Sequence, residues 1–189
     1  MKPRIKQALL AAMLLLSSAM GQAADPVFPG DSIYQLPLQL SEQHGQSLAL
    51  TQFAGHVTVL SMFYNSCEFV CPMLIDTVRL LERSLTGRER EKLSVLLVTL
   101  DPARDDTATL ASIAASKALP ATRWTLARTD SVRELAAVLN IQYRQLESGE
   151  FNHSSVLILL DRQGRMVARS SELGNVDPLF LQKMKSLLR

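Results

Sequence analysis

The feature that most constrains this chain is an alternation of short unbroken apolar runs with stretches whose apolar residues recur at helical spacing. Val57-Thr58-Val59-Leu60-Ser61-Met62-Phe63 is a largely apolar run that opens on β-branched residues, the pattern of a buried strand. From Pro72 onward, Leu74, Ile75, Val78, Leu81 and Leu85 return every three or four positions and predict a helix, with Pro72 in its first turn. A second continuous run, Leu93 to Leu100, ends at Asp101-Pro102. Beyond it the chain reads as a helix over 107–118, a short strand over 124–127 and a helix capped by Asp130 and running to Leu139. Two strands, 155–160 and 166–170, follow, joined at Asp161-Arg162-Gln163-Gly164. Asp177-Pro178 opens a last helix that ends among Lys183, Lys185 and Arg189, cations suited to a helix C-terminus. Ahead of all this, residues 30–50 read as a β-hairpin turning through residues 41–46. The sum predicts an α/β fold: a central mixed, mostly parallel sheet flanked by helices, with an N-terminal β-hairpin.

The first 23 residues stand apart from that pattern. Lys2, Arg4 and Lys6 make a positive start, Ala8 to Leu16 is apolar, and Ala19-Met20-Gly21-Gln22-Ala23-Ala24 supplies small residues for cleavage. This predicts a secretory signal peptide over residues 1–23, cut near Ala23, and hence a periplasmic protein. The apolar stretch falls short of the ~20 residues that span a bilayer, so membrane attachment is not expected. Residues 24–189 then form one domain of ordinary size. Loss of the three basic residues takes the formal charge from +2 to −1. With no basic patch interleaved with aromatics, nucleic acid is excluded as a partner.

Chemistry concentrates at the chain's two cysteines, in Cys67-Glu68-Phe69-Val70-Cys71-Pro72, between a buried strand and a helix. Ligands of open α/β sheets collect at the carboxyl ends of strands. A spacing of four on a helical turn puts two Cβ atoms about 5–6 Å apart. The positive end of a helix also lowers a thiol pKa. Two such thiolates can close on a metal ion or on each other. A plain disulfide across so small a loop would stabilise the fold by only about 2 kcal/mol, which a domain of this size hardly needs. A soft metal held by two thiolates wants a further ligand, and the chain has three histidines. His44 lies in the polar hairpin turn and His56 follows Gly55; both read as solvated turn residues. His153, in Phe151-Asn152-His153-Ser154-Ser155, sits in a loop entering a strand and can be aimed at another loop. Two thiolates and one imidazole suit Cu(I), and also zinc.

Three motifs carry a family resemblance. Tyr64-Asn65-Ser66-Cys67-Glu68-Phe69-Val70-Cys71-Pro72 after an apolar strand resembles the Cys-x-x-x-Cys-Pro signature of the Sco/SenC family. Thr99-Leu100-Asp101-Pro102-Ala103-Arg104-Asp105 resembles its Asp-Pro-x-Arg-Asp segment, and Asn152-His153-Ser154 with the following hairpin resembles its histidine region. Glu68 stands where many members carry proline. The resemblance implies a thioredoxin-like fold, which the order of elements also fits, and a copper site made by Cys67, Cys71 and His153 that takes Cu(I) or Cu(II). It further implies a metallochaperone rather than an enzyme, delivering copper to a respiratory or other cuproenzyme, notably at the CuA centre of cytochrome c oxidase. Some members look more like thiol–disulfide oxidoreductases that reduce the target's cysteines. In that alternative Cys67 and Cys71 are the catalytic pair, and a thioredoxin-like reductant is a further partner.

Around these residues the sequence suggests supporting roles. Asp101 either orients a ligand or a cation such as Arg104, or merely makes the strand-end turn before Pro102. Met73 reads as core filler or as an additional thioether ligand. Tyr64 and Phe69 are placed to shield the site from water, and Trp124 reads as core.

Overall fold

The computed structural model describes residues 27–66 and 70–189, with the side chains of Val70 and Cys71 left aside. The expected signal segment, Cys67 and Phe69 lie outside the described residues. Seven strands form one sheet: β1 (Gln39–Glu42), β2 (Ser47–Ala49), β3 (Val57–Phe63), β4 (Leu93–Thr99), β5 (Trp124–Arg128), β8 (Leu157–Leu160) and β9 (Met166–Ser170). Their order is β2-β1-β5-β4-β3-β8-β9. Two further strands, β6 (Tyr143–Gln145) and β7 (Phe151–His153), make a separate antiparallel hairpin.

The thioredoxin-like α/β architecture is present, but the sheet is parallel only at its centre, not over most of its width. β3 pairs in parallel with β4, and β4 with β5; β1–β2, β1–β5, β3–β8 and β8–β9 are antiparallel. Parallel neighbours need a crossover connection. Helix α1 (Val70–Arg83) supplies one between β3 and β4, with the short α2 (Gly87–Glu91) after it, and α3 (Thr107–Ser116) supplies the other between β4 and β5. The β1–β2 and β8–β9 pairs are sequential hairpins and so antiparallel, and β1 and β8 add antiparallel to the outer sides of β5 and β3. Every residue of β3 and of β8 is buried, so both faces of the sheet are covered at its centre. Leu74, Ile75, Val78 and Leu81 of α1 are buried in the core, as the helical spacing predicted. They are joined there by Phe180, Met184 and Leu188 of α5 (Pro178–Leu188).

Several boundaries differ from the sequence reading for identifiable reasons. Helix α1 begins at Val70, so Cys71 is already its second residue rather than part of a loop. Pro72 is tolerated there because the first four N–H groups of a helix have no partner within it. Helix α2 was not anticipated, although Thr86-x-x-Glu89 is a capping box. The Glu89 N–H donates to Thr86 Oγ1 at 3.3 Å, and the Thr86 N–H donates to the Glu89 carboxylate at 2.8 Å. Asp130 does not cap α4 (Val132–Val138): Ser131 occupies the N-cap position, and Asp130 pairs with Arg128 at 3.5 Å instead. Asp177 does cap α5, accepting from the N–H groups of Leu179 and Phe180. Trp124 is core as expected, 1% exposed, with its indole N–H donating to Glu82 at 3.2 Å.

Tyr34, in a 3-10 turn (Ile33–Gln35) before the N-terminal hairpin, is 3% exposed and donates its hydroxyl to the Phe53 carbonyl at 3.0 Å. Burial pushes its phenol up to about 12, and the charge of Asp161 adds to the rise. An unfolded tyrosine ionises near ~10, so between pH 10 and 12 the unfolded chain loses a proton that the folded chain keeps. The contribution is whole below pH 10 and is lost as pH rises through 12. In denaturant titrations from about pH 9 upward, Tyr34→Phe is expected to flatten the alkaline fall in stability; an unchanged slope would assign that fall to other groups.

Candidate functional site

The parallel strands β3 and β4 end side by side at the centre of the sheet, and the first turn of α1 follows β3 within a few residues. Beyond Phe63 the chain runs Tyr64-Asn65-Ser66 directly to Cys67, and Cys71 follows as the second residue of α1. Tyr64 and Asn65, which precede the cysteines in the sequence, are met by two arms from elsewhere in the chain.

One arm is aromatic. Tyr64 is 5% exposed, and its ring stands edge-on to Phe151 at 5.3 Å and to His153 at 5.6 Å. Its hydroxyl donates to the Phe151 carbonyl at 3.2 Å. Such ring pairs add about 0.5–1.5 kcal/mol beyond the area they bury. The imidazole of His153, on β7, therefore lies against the ring of Tyr64, which stands three positions before Cys67 in the sequence. Tyr64 is itself buried beside the two rings.

His153 is half-buried, and its Nδ1–H donates to the Ser154 carbonyl at 3.3 Å. A carbonyl can only accept, so the proton sits on Nδ1 and the lone pair of Nε2 remains for a ligand. Burial lowers the imidazole pKa, against a smaller raising effect from the Ser154 carbonyl, so the ring is neutral at neutral pH, as metal ligation requires. A cleft of about 350 Å³ lined by Gln142, Tyr143, Arg144, Asn152, His153 and Ser154 opens beside it.

The other arm is polar and comes from the segment after β4. Asp101 is buried and pairs with Arg104. Arg104 donates in turn to the Gly149 carbonyl at 2.5 Å and lies 3.9 Å from Glu150, in the turn between β6 and β7. Asp101 takes both the role directed at Arg104 and that of the strand-end turn, its carbonyl accepting the N–H groups of Arg104 at 3.2 Å and Asp105 at 2.9 Å, and the ion pair steadies the hairpin that carries His153. Asp105 was not singled out by sequence. It is 2% exposed, and its Oδ2 accepts from Thr99 Oγ1 at 2.5 Å and from the Asn65 N–H at 3.0 Å. Asn65 is two residues before Cys67, so Asp105 pins the approach to the cysteines. Burial raises its carboxyl pKa against the lowering effect of those two bonds. Its signal in the sequence was position: a carboxylate shortly past a largely apolar strand, at the end of the Asp101–Asp105 segment.

His44 and His56 are exposed turn residues, as read from sequence. Met73 is 43% exposed on α1, with its thioether beside Gly174, and so is not core filler. No helix among the described residues is long and apolar enough to cross a membrane.

Comparison with known proteins follows this geometry. A family model described as SCO1/SenC matches residues 29–189. A protein of Stutzerimonas stutzeri named as a candidate copper-binding protein is 32% identical over 68 residues, which are 36% of this chain and 33% of that one. The match therefore spans about a third of that relative's length. Among solved structures, ScoI of Bradyrhizobium japonicum with copper bound aligns with a TM-score of 0.68 at 21% identity, covering 80% of this chain and 98% of that one. A SCO1/SenC family lipoprotein from Bacillus anthracis aligns with a TM-score of 0.71 at 19% identity, covering 80% and 92%. At such identities the structures speak for the fold.

Proposed function

This chain belongs to the SCO1/SenC family, and from that premise we propose that it is an exported, periplasmic copper metallochaperone whose cargo is held by Cys67, Cys71 and His153. The observation that supports the reading is the contact of His153, a neutral imidazole whose Nδ1 is turned to the Ser154 carbonyl, with Tyr64, three positions before Cys67 in the sequence. Copper appears in the names of the relatives that the chain resembles. Two thiolates supply soft sulfur for Cu(I), and an imidazole adds a borderline nitrogen that also accepts Cu(II). Delivery proceeds by ligand exchange: ligands of an acceptor cuproenzyme, of which the CuA centre of cytochrome c oxidase is the leading candidate, replace those of the chaperone one at a time. Cleavage of the signal segment near Ala23 frees the domain from the membrane.

A second reading draws support from the position of Cys71 in the first turn of α1, where the helix dipole favours thiolate. One thiolate attacks a disulfide of the target, the other resolves the mixed disulfide, and the products are two target thiols and a Cys67–Cys71 disulfide. An external thiol reductant of the thioredoxin kind then restores the pair. Anaerobic copper titration of the reduced protein with a free-thiol assay separates the two. One copper per chain with both thiols protected supports the chaperone; no copper binding with reversible thiol oxidation transfers the protein to the reductase class.

The polar arm gives its own test. Asp105→Ala leaves the Asn65 N–H and the Thr99 hydroxyl without their buried acceptor and is expected to lower stability by about 2–3 kcal/mol. It is also expected to weaken copper binding by ~10-fold through the loosened cysteine approach. Unfolding by urea and a competition titration measure the two; full affinity in a destabilised variant would confine Asp105 to stability.

A further inference from the structure

Helix α1 begins at the cysteine turn, and near its other end is a concavity of about 390 Å³ lined by Arg79, Glu82, Arg83, Arg90 and Arg123. Fourteen residues at ~1.5 Å each put the two ends of α1 roughly 20 Å apart. The concavity is therefore not part of the site already described. Four guanidiniums here face one carboxylate, and that carboxylate is committed. Glu82 is buried, takes Arg123 on one oxygen at 3.2 Å and accepts from the Trp124 indole on the other at 3.2 Å.

The arginines divide by how they are held. Arg123 is fixed by Glu82, and Arg90 by the carbonyls of Glu82 and Leu85 at 3.1 and 3.2 Å. Arg79 and Arg83 make single longer bonds, to the carbonyls of Ala118 at 3.5 Å and Arg79 at 3.3 Å. Each guanidinium carries five N–H donors, so most donors around the concavity are not used by these bonds. The last turn of a helix attracts cations, but its dipole amounts to roughly half a negative charge. That answers only a fraction of the three positive charges left in excess. Asp76, Glu89 and Glu91 do not line the concavity.

We infer that this concavity binds an oxyanion of the phosphate class. A phosphate presents oxygens in several directions and so accepts guanidinium forks from different walls at once, which a monovalent spherical anion cannot do. Arg90 and Arg123 form the pre-oriented part of the site, and Arg79 and Arg83 close on the ligand. Free phosphate and the phosphate of a lipid headgroup share this chemistry.

The test compares the full chain with its Arg79→Gln/Arg83→Gln variant; both substituted side chains bond only to backbone carbonyls, and Arg90 and Arg123 are left in place. Inorganic phosphate is titrated by calorimetry at ionic strength held constant with chloride. In parallel, sedimentation is measured with vesicles of phosphatidylcholine, with and without phosphatidic acid. Both proteins carry the same N-terminal segment, so the difference between them reports on the concavity. Saturable phosphate binding that falls about tenfold or more in the variant supports the site and identifies a soluble ligand. The same fall confined to phosphatidic-acid vesicles supports it and identifies a headgroup. Equal behaviour of the two proteins in both arms, or binding that chloride abolishes at matched ionic strength, overturns it. A circular dichroism melt of the variant matching the parent excludes misfolding as the cause of a loss.

Discussion

Cys67→Ser and Cys71→Ser are each expected to weaken copper binding by well over ~100-fold, beyond the ~10–100-fold that follows loss of a group that only orients a ligand. A hydroxyl in place of a thiolate removes both the charge and the softness that Cu(I) selects. His153→Ala is expected to fall more sharply for Cu(II) than for Cu(I), because imidazole matters more to the harder ion while the two sulfurs still hold the softer one. Competition with a chromophoric chelator, run anaerobically for Cu(I) and in air-stable form for Cu(II), measures all three variants. Unchanged affinity of His153→Ala for both ions would remove the imidazole from the site and leave Tyr64 with a purely structural partner. Loss in only one of the two serines would mean that the cysteines do not act together.

Gly164→Ala is expected to cost about 3 kcal/mol of stability, the largest effect foreseen away from the proposed metal ligands. Gly164 has φ +77°, where an L side chain is strained by ~1–2 kcal/mol. A Cβ there would also lie 2.5 to 2.7 Å from three ring carbons of Tyr34, which is itself locked by its hydroxyl bond to Phe53 and cannot swing away. Overpacking of that kind adds about 1–3 kcal/mol. Gly45→Ala is the matched control: its φ is +81°, but nothing lies within 4 Å of its Cβ position, so it carries the conformational cost alone. Urea unfolding of the two variants separates strain from clash. Equal losses would show that the ring of Tyr34 yields, and that the turn at Gly164 is held by backbone conformation only.

Much of this architecture can be read from the chain. The run 57–63 is β3 to the residue, because a strand buried on both faces carries no charged position and holds even Thr58 and Ser61 inside. The spacing of Leu74, Ile75, Val78 and Leu81 locates the buried face of α1, though not its start, which propensity leaves open across residues 70–72. The hairpin β6–β7 was illegible. Its strands are three residues long, Tyr143-Arg144-Gln145 has no apolar alternation, and its hold on the fold comes from Tyr64, 87 positions from Phe151. Asp105 was hidden for a related reason. A carboxylate after a strand looks like turn chemistry until the backbone of Asn65, 40 positions earlier, is placed beside it. The parallel character of the sheet was overestimated because strand–helix alternation describes only β3, β4 and β5, and chain order does not reveal which later strands return to pair antiparallel with them.

The separateness of β6–β7 bears on how cargo could leave. Within the described residues this hairpin joins no strand of the seven-stranded sheet; it is fastened by the Tyr64 ring against Phe151 and His153, by the Tyr64 hydroxyl on the Phe151 carbonyl, and by the reach of Arg104 to Gly149 and Glu150. A unit fastened in that way can open at a small part of the cost of global unfolding. In the proposed transfer, the nitrogen donor rides on a latch and the sulfur donors on the frame. Lifting the latch would vacate one coordination position while the frame keeps its grip, so a recipient could begin the exchange without the protein coming apart around its metal.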